Sequence, residues 1–445
     1  MQCSVSITVE LDPAAGIGGW EQAVQEAGRE AMRQALAQAV RAYEEIHGTC
    51  PHCGGEPSQS QGTVRRRVRT CFGRVAVALR RQRCVRCQRR FRPAAGCLAG
   101  LGRGQVTPEL AAACALAGAS WPYATAARVL HRLSGAQVSA EEVRQQTRRV
   151  GGQEAQAQQE EAEHLLQPTA EQVRAERAAQ ERAARAPRAP RSLTPAPARL
   201  IAGLDGGWVP SREQAGGMEG KVGVVATGVV PVGKQGRQRL TPRRYVATFG
   251  SSEQIGILAG AAAVALDGYA ARDQLVLGDG AEWIKTQATE HFPDAVGILD
   301  WAHVARAVHK AIRAACPGPA NRARRRELHE QIPAALWHGQ VDAALIQLHA
   351  LRPTDPAEPV AVLEATSRYL DGQRRWLGNY AAWQDAGYPI GSGCIERAVA
   401  VVINWRMKKR GMRWTRPNAN ALVALRVREL NAAWKILDAP APLAA

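Results

Sequence analysis

Hydrophobic and polar positions change period several times along the chain, and each change marks an element. From Trp20 to His47 small apolar residues recur among charges at Ala23, Ala27, Ala31, Ala35 and Ala39, with Gly48 as a stop, which predicts a helix. Strand character replaces it over Thr63–Val68 and Arg74–Leu79. The helical period returns from Thr107 to Val150: one helix over Tyr123–Leu133, a turn at Ser134-Gly135-Ala136, and a second helix over Ser139–Val150. Ser139 with Glu142 three residues on predicts a capping box. Gln153–Ala186 is rich in Ala, Glu, Gln and Arg with few large apolar groups, as a solvated or flexible helix would be. The proline-rich stretch Pro187–Pro197 predicts a domain boundary.

Beyond that boundary the texture is different. Leu200–Leu204 is a short apolar run ending at Asp205, and Lys221–Val230 and Tyr245–Phe249 predict two further strands. An apolar helix over Ser252–Tyr269, a strand over Gln274–Leu277, a helix over Glu282–His291 and a strand over Ala295–Leu299 follow. Three strands and then helix–strand–helix–strand is the order of an α/β fold around a mixed sheet. Trp301 to about Trp383 reads as wholly helical, and a last long helix is expected from Gly393 to Arg410. The expected organisation is therefore an N-terminal helical segment (1–48), a cysteine-bearing ribbon (49–95) and a helical region with a candidate helix-turn-helix (105–186). A linker (187–198) and an α/β domain (199–438) with an all-α insertion at about 301–385 complete it.

Composition narrows the function. Apolar types make up 46% of the chain, enough to close a sizeable core and too many for a mostly disordered protein. Lys and Arg number 58 against 40 Asp and Glu, a net charge of +18 that favours a polyanionic partner such as nucleic acid, although an Arg-rich genome gives the same balance. Met1–Asp12 lacks a basic segment followed by an apolar stretch. Leu110–Ala127 contains Pro122, and Ile255–Leu266 is too short to cross a bilayer. The expectation is a cytoplasmic, nucleoid-associated protein with no membrane partner.

Of the ten cysteines, four form two Cys-x-x-Cys pairs, Cys50/Cys53 and Cys84/Cys87. Four thiolates on two tight turns joined by a hairpin close a tetrahedral Zn²⁺ site, the plan of a zinc ribbon, and such a site supports folding rather than chemistry. One pair could instead be redox-active or incidental, and Cys71 and His52 are alternative ligands that break the spacing symmetry. Arg65, Arg66, Arg67, Arg69, Arg80, Arg81, Arg83, Arg86, Arg89, Arg90 and Arg92 crowd this ribbon, as a DNA-contacting domain requires and a solvated face also permits. The two helices that follow would lay the second in a major groove if they form a helix-turn-helix.

The second half holds carboxylates at strand ends beside glycines: Asp205 in Leu204-Asp-Gly-Gly-Trp-Val, and Asp279 in Leu277-Gly-Asp-Gly-Ala. If their strands are neighbours, two acids face each other and require a cation between them. Each alone is an ordinary Asp-Gly turn residue. Asp300, Glu364, Asp371, Asp385 and Glu396 are further candidates, and spacing does not choose among them.

The ordered motifs do point to a family. Asp205-Gly-Gly-Trp-Val-Pro, Gly278-Asp-Gly-Ala-Glu-Trp-Ile, Phe292-Pro with Leu299-Asp-Trp-Ala-His303, and Gly391-Ser-Gly-Cys-Ile-Glu396 leading into Arg406-Met-Lys-Lys-Arg-Gly-Met-Arg-Trp414 resemble bacterial insertion-sequence transposases of the ISKra type. These are DDE enzymes with a ribonuclease-H-like core, similar to Mutator-type transposases. The resemblance covers roughly residues 195–430 and is looser over the N-terminal third. It implies Asp205, Asp279 and Glu396 as a triad holding Mg²⁺ (or Mn²⁺), with Asp300 and His303 supporting it. The implied reaction is cleavage of transposon-end DNA and attack of the released 3′-hydroxyl on target DNA, by a homodimer or higher homo-oligomer. The sequence around Glu396 (Arg397, Ala398, Val399) departs from the family's small-residue and Lys pattern. Arg406, Lys408, Lys409 and Arg410 are expected to meet phosphates, as are Arg65, Arg66 and Arg67. Trp405 and Trp414 either stack on a displaced base or anchor the C-terminal helices.

Overall fold

The computed structural model describes residues 1–56, 58–101, 104–167, 170–185, 197–232, 237–351 and 358–432. It divides into two units, Met1–Gln153 and Glu154–Asn431.

In the first unit α1 (Gly16–Ile46) precedes a hairpin of β1 (Ser58–Thr70) and β2 (Gly73–Cys84), extended by the short antiparallel β3 (Arg90–Phe91). Strict alternation along β2 buries Val75, Val77 and Leu79 on one face, and α1 lays Leu36, Ala37 and Val40 over them and over Val68. Three helices follow: α2 (Pro108–Ser120), α3 (Tyr123–Ser134) and α4 (Ala140–Leu165). Thr107 caps α2 by accepting the Leu110 N–H at 3.3 Å, and Thr147 fastens α4 to α2 by donating to the Cys114 carbonyl at 3.4 Å. Half of the expected capping box forms. Ser139 Oγ accepts the Glu142 N–H at 3.1 Å, but the Glu142 carboxylate goes to Arg69 (2.8 Å) and Gln146 (2.7 Å).

The division between units falls inside α4, earlier than the expected linker at 187–198, of which residues 187–196 lie outside the described part. The polar stretch before that linker belongs to the second unit because its charges find partners there. Glu154 pairs with Arg428 at 2.6 Å, Gln158 donates to the Ala424 carbonyl at 3.1 Å, and Arg177 of α5 (Ala170–Arg185) pairs with Asp267.

The second unit is built on the expected mixed sheet. Its strands are β4 (Arg199–Val209), β5 (Met218–Ala226), β8 (Arg243–Thr248), β9 (Asp273–Gly278) and β10 (Val296–Leu299); β6 (Val229–Val232) and β7 (Arg237–Leu240) form a separate small hairpin. The order is β10-β9-β4-β5-β8, with β4 parallel to β9 and β9 parallel to β10. Helix α6 (Ser252–Ala265) leads to β9, and α7 (Glu282–His291) to β10. The insertion after β10 is helical as expected: α8 (Trp301–Ala315), α9 (Arg322–Trp337), α10 (Val341–Ala350), α11 (Glu358–Gly372) and α12 (Tyr380–Asp385).

Two C-terminal expectations are corrected. The helix starting at Gly393 ends at Met407, not Arg410, and is not uniformly α: α13 (Gly393–Val399) passes through a π turn at Ala400–Asn404 into α14 (Trp405–Met407). Arg426 holds that turn by donating from Nε to the carbonyls of Val401 (3.0 Å) and Val402 (2.9 Å). Helix α15 (Arg416–Leu430), absent from the sequence reading, packs on β8. It also covers the sheet edge: Asn431 accepts the Tyr245 N–H at 2.8 Å and donates to the Tyr245 carbonyl at 2.9 Å, while Asn420 accepts the Phe249 N–H at 2.9 Å. Among the described residues, no helix is long and apolar enough to cross a membrane.

Candidate metal centres

Strand register brings the first carboxylates together. The parallel β4–β9 ladder ends with Gly203 opposite Leu277, so Asp205 and Asp279 stand at corresponding positions two residues further on. Leu299 of β10 pairs with Gly278, and the Asp300 N–H continues that ladder to the Gly278 carbonyl at 2.9 Å. Three neighbouring parallel strands therefore each deliver an aspartate at the same level. Asp205 is not at its strand's end, as expected, but inside β4, because pairing with β5 carries on through Val209.

Glu396 arrives from the helix above. Side chains at 203, 205 and 207 share one face of β4. A Cβ on Gly203 would lie 3.4 Å from Ile395 Cβ; one on Gly207 would lie 2.8 Å from Ile403 Cδ1 and 3.0 Å from Val399 Cγ1. Glycines on both sides of Asp205 thus let α13 and the π turn lie close on the face from which the Asp205 carboxylate projects. Gly207→Ala is expected to lift that helix, destabilising the protein by about 1–3 kcal/mol. Unchanged thermal unfolding would show that the close approach is dispensable.

Asp300 has a different surrounding. It is 1% exposed, caps α8 by accepting the Ala302 N–H at 2.8 Å, and its other oxygen lies 2.7 Å from His303 Nδ1. A carboxylate only accepts, so Nδ1 donates, and both Asp300 oxygens are engaged in orienting neighbours. Of the other acids considered, Asp371 is bonded to Arg374 at 2.6 Å, and Glu364 and Asp385 are exposed.

Three positioning residues were not found in the sequence. Ser392 donates to Glu396 Oε1 at 3.0 Å, Tyr369 to the Asp279 carbonyl at 3.2 Å, and Gln373 to the Gly280 carbonyl at 2.9 Å. Gly280 has φ +88°, and a Cβ there would strike Gln373 at 2.7 Å. A Ser four residues before a Glu on a helix was the one available signal; the other two come from α11 and its end, far along the chain.

Electrostatics show that the acids feel one another. Burial raises the Asp205 carboxyl from its ordinary 3.8 to about 6; a bond from the Gly206 N–H opposes this, and the negative charges of Asp279 and Glu396 add to it. In the metal-free protein the folded state then keeps a proton between those values that the unfolded chain has released, so stability falls as pH rises through that window. Asp205→Asn removes the fall. The variant is expected to unfold at higher temperature than wild type near pH 7, by on the order of 2 kcal/mol at most, and to match it near pH 4. Equal pH profiles for the two metal-free proteins would contradict the raised carboxyl. Carboxylates held against their repulsion are a donor set suited to a hard divalent cation. Their ligand oxygens do not all come within 4.8 Å of one another, a spacing reached among the described residues only by the cysteines.

The second centre lies in the first unit. Cys50, Cys53, Cys84 and Cys87 bring their sulfurs within 4.8 Å of one another, with Cys50–Cys87 and Cys53–Cys84 each at 3.6 Å. Zn–S bonds of about 2.3 Å in a tetrahedron put sulfurs about 3.8 Å apart, so this cluster can hold a metal such as zinc. The Cys87 N–H, pointing at the Cys84 sulfur, pulls that thiol down to about 7. Phe91 closes the cluster on its apolar side, and His52 and Cys71 are not part of it.

The basic candidates separate. Lys408, Lys409 and Arg410 are exposed beyond α14, and Arg65 and Arg67 are exposed on β1. Arg406 is corrected: it is 1% exposed, beside the Trp414 ring at 5.3 Å, where no phosphate reaches it. Arg66 lies half-buried on the other face of β1, within 3.5 Å of Gln105. Trp414 is a buried anchor whose Nε1 donates to the Met407 carbonyl at 3.0 Å, whereas Trp405 is 55% exposed under the Arg397 guanidinium. The chain matches no model of a known protein family and no curated protein.

Proposed function

We propose that this chain is a DNA transposase acting at its transposon ends through a ribonuclease-H-like α/β unit. The observation that carries the reading is the matched register of Asp205 and Asp279 on adjacent parallel strands, under a helix that carries Glu396 on the same side. Asp205, Asp279 and Glu396 would hold Mg²⁺, or Mn²⁺ as a substitute, which when bound supplies charge stabilisation to the attacking and leaving oxygens of an in-line phosphoryl displacement.

The residues have distinct duties. Asp205, whose carboxyl burial raises to about 6, must lose its proton before a cation is held, so activity rises with pH through about 6. Ser392 fixes the Glu396 carboxylate, and Asp300 with His303 braces the end of β10 beside Asp279. Lys408, Lys409 and Arg410 stand ready for phosphates beyond the same helix. In the first unit the cysteine cluster would hold a structural Zn²⁺, making the hairpin a zinc ribbon, while α3 and α4 supply a helix-turn-helix to DNA. Joining two ends to one target calls for a homodimer or higher oligomer.

The test is a gel. Purified protein with Mg²⁺ and DNA carrying the inverted repeats that flank its reading frame should yield cleaved ends and strand-transfer products. End binding without nicking would make it a non-catalytic DNA-binding protein. Cleavage of branched DNA with no joined product would make it a structure-specific nuclease.

A further inference from the structure

The arginines of the hairpin are sorted by face. Alternation turns Val64, Val68 and Thr70 of β1 towards the buried side with Val75, Val77 and Leu79 of β2. The opposite side carries Arg65, Arg67 and Arg69, and the register places Ala78, Ala76 and Arg74 directly across from them. Arg65, Arg67 and Arg74 are exposed, and no side-chain hydrogen bond or ion pair among the described residues engages them; Arg69 is held by Glu142 at 2.8 Å. Ala76 and Ala78 leave a low floor between the charges. At the closed end of the hairpin this face opens into a cleft of about 520 Å³ lined by Arg69, Arg74, His131, Gln137, Ser139 and Glu142. The Arg69 Nε at its wall is buried and, among the described residues, has no hydrogen-bond partner.

Like charges at every second residue of a strand, about 6.7 Å apart, repel one another, and a polyanion lying along them relieves that repulsion. That repeat is comparable with the separation of successive phosphates along one nucleic-acid strand. A floor of alanine offers no hydrogen-bond donor or acceptor to a base edge, so the face suits backbone contact more than sequence discrimination.

We propose that Arg65, Arg67 and Arg74, with the cleft at the end of the hairpin, form a track for the sugar–phosphate backbone of duplex DNA. The choice of DNA as the polyanion rests on the transposase reading; the track itself rests on the faces and register of the hairpin. It contributes affinity and placement that do not depend on sequence, leaving base recognition to other elements.

The experiment compares two charge-matched double variants of the full chain in an Asp205→Asn background, without added Mg²⁺, on a fluorescent duplex of random sequence over a salt series. Arg65→Gln with Arg67→Gln is expected to flatten the slope of log affinity against log salt by about 2, at about 0.9 per phosphate contact, and to weaken binding about tenfold or more near 0.1 M salt. Arg322→Gln with Arg324→Gln, equally exposed on α9, should stay within about twofold of the parent. The same loss is expected on a transposon-end duplex. Equal losses in both doubles, no loss in either, or a loss limited to one of the two duplexes would overturn the track. Unchanged metal content in the hairpin double shows that the ribbon is intact. Cleavage that persists in the Asp205→Asn parent when Mg²⁺ is added in a separate assay would count against the catalytic reading alone, since binding is scored without the metal.

Discussion

Glu396→Gln is expected to reduce Mg²⁺-dependent cleavage of transposon-end DNA by about 10³-fold or more, the scale on which loss of one electrostatic stabiliser acts on phosphoryl or acyl transfer. The substitution is conservative in shape: Glu396 is exposed, and a Gln oxygen can still accept from Ser392 Oγ. What changes is one negative charge facing Asp205 and Asp279. DNA binding and thermal unfolding should therefore stay near wild type, and cleavage is read by single-turnover assay. Asp205→Asn and Asp279→Asn should behave alike in cleavage. Ser392→Ala, which frees the carboxylate without removing it, should cost only about 10–100-fold. Full activity in any of the three acid variants would remove that residue from the triad.

Cys84→Ser is expected to strip metal from the protein and unfold the end of the hairpin. Cys84 is fully buried, ends β2, and its thiol is already drawn towards ionisation by the Cys87 N–H. Among the described residues its cluster packs with Phe91 as the one non-cysteine core residue, so little other burial holds the two turns together. Structural zinc contributes about 10–16 kcal/mol in isolated finger peptides, far above what that single ring supplies. The wild-type chain, purified reduced, should carry about one zinc by elemental analysis, and a chelator should expose β1 and β2 to protease. No bound metal, or the same protease resistance in Cys84→Ser, would reduce the cluster to a set of buried thiols.

Much of the site was legible because its elements are local. An apolar run closing on Asp-Gly marks a strand that ends at a backbone-crowded acid, and two such runs could be ordered without knowing their partners. The four cysteines were legible from spacing alone. The strand through Asp205 continues because Gly206, Gly207 and Trp208 still pair with β5, and pairing is invisible in one segment read alone. Helix α15 was missed because Ala419 and Ala421–Val427 are all buried; a helix covered on every side has no polar face to set a period. Arg406 was misplaced for a related reason. Its neighbours Lys408 and Lys409 are exposed, yet the π turn rotates the helix so that Arg406 goes inward. Arg66 was grouped with Arg65 and Arg67 by composition, whereas the period of a strand sends it to the other side.

The helix over the carboxylates has a consequence for protein synthesis. Asp205, Asp279 and Asp300 leave the ribosome while Glu396 is still untranslated, and Arg426 and Asn431, which hold the π turn and the sheet edge, follow later still. A stalled, truncated or frameshifted product lacking this last stretch keeps the basic hairpin but not the fourth acid or its clamp. On the proposed transposase function, such fragments would occupy DNA without cutting it, and so compete with the full chain from which they derive.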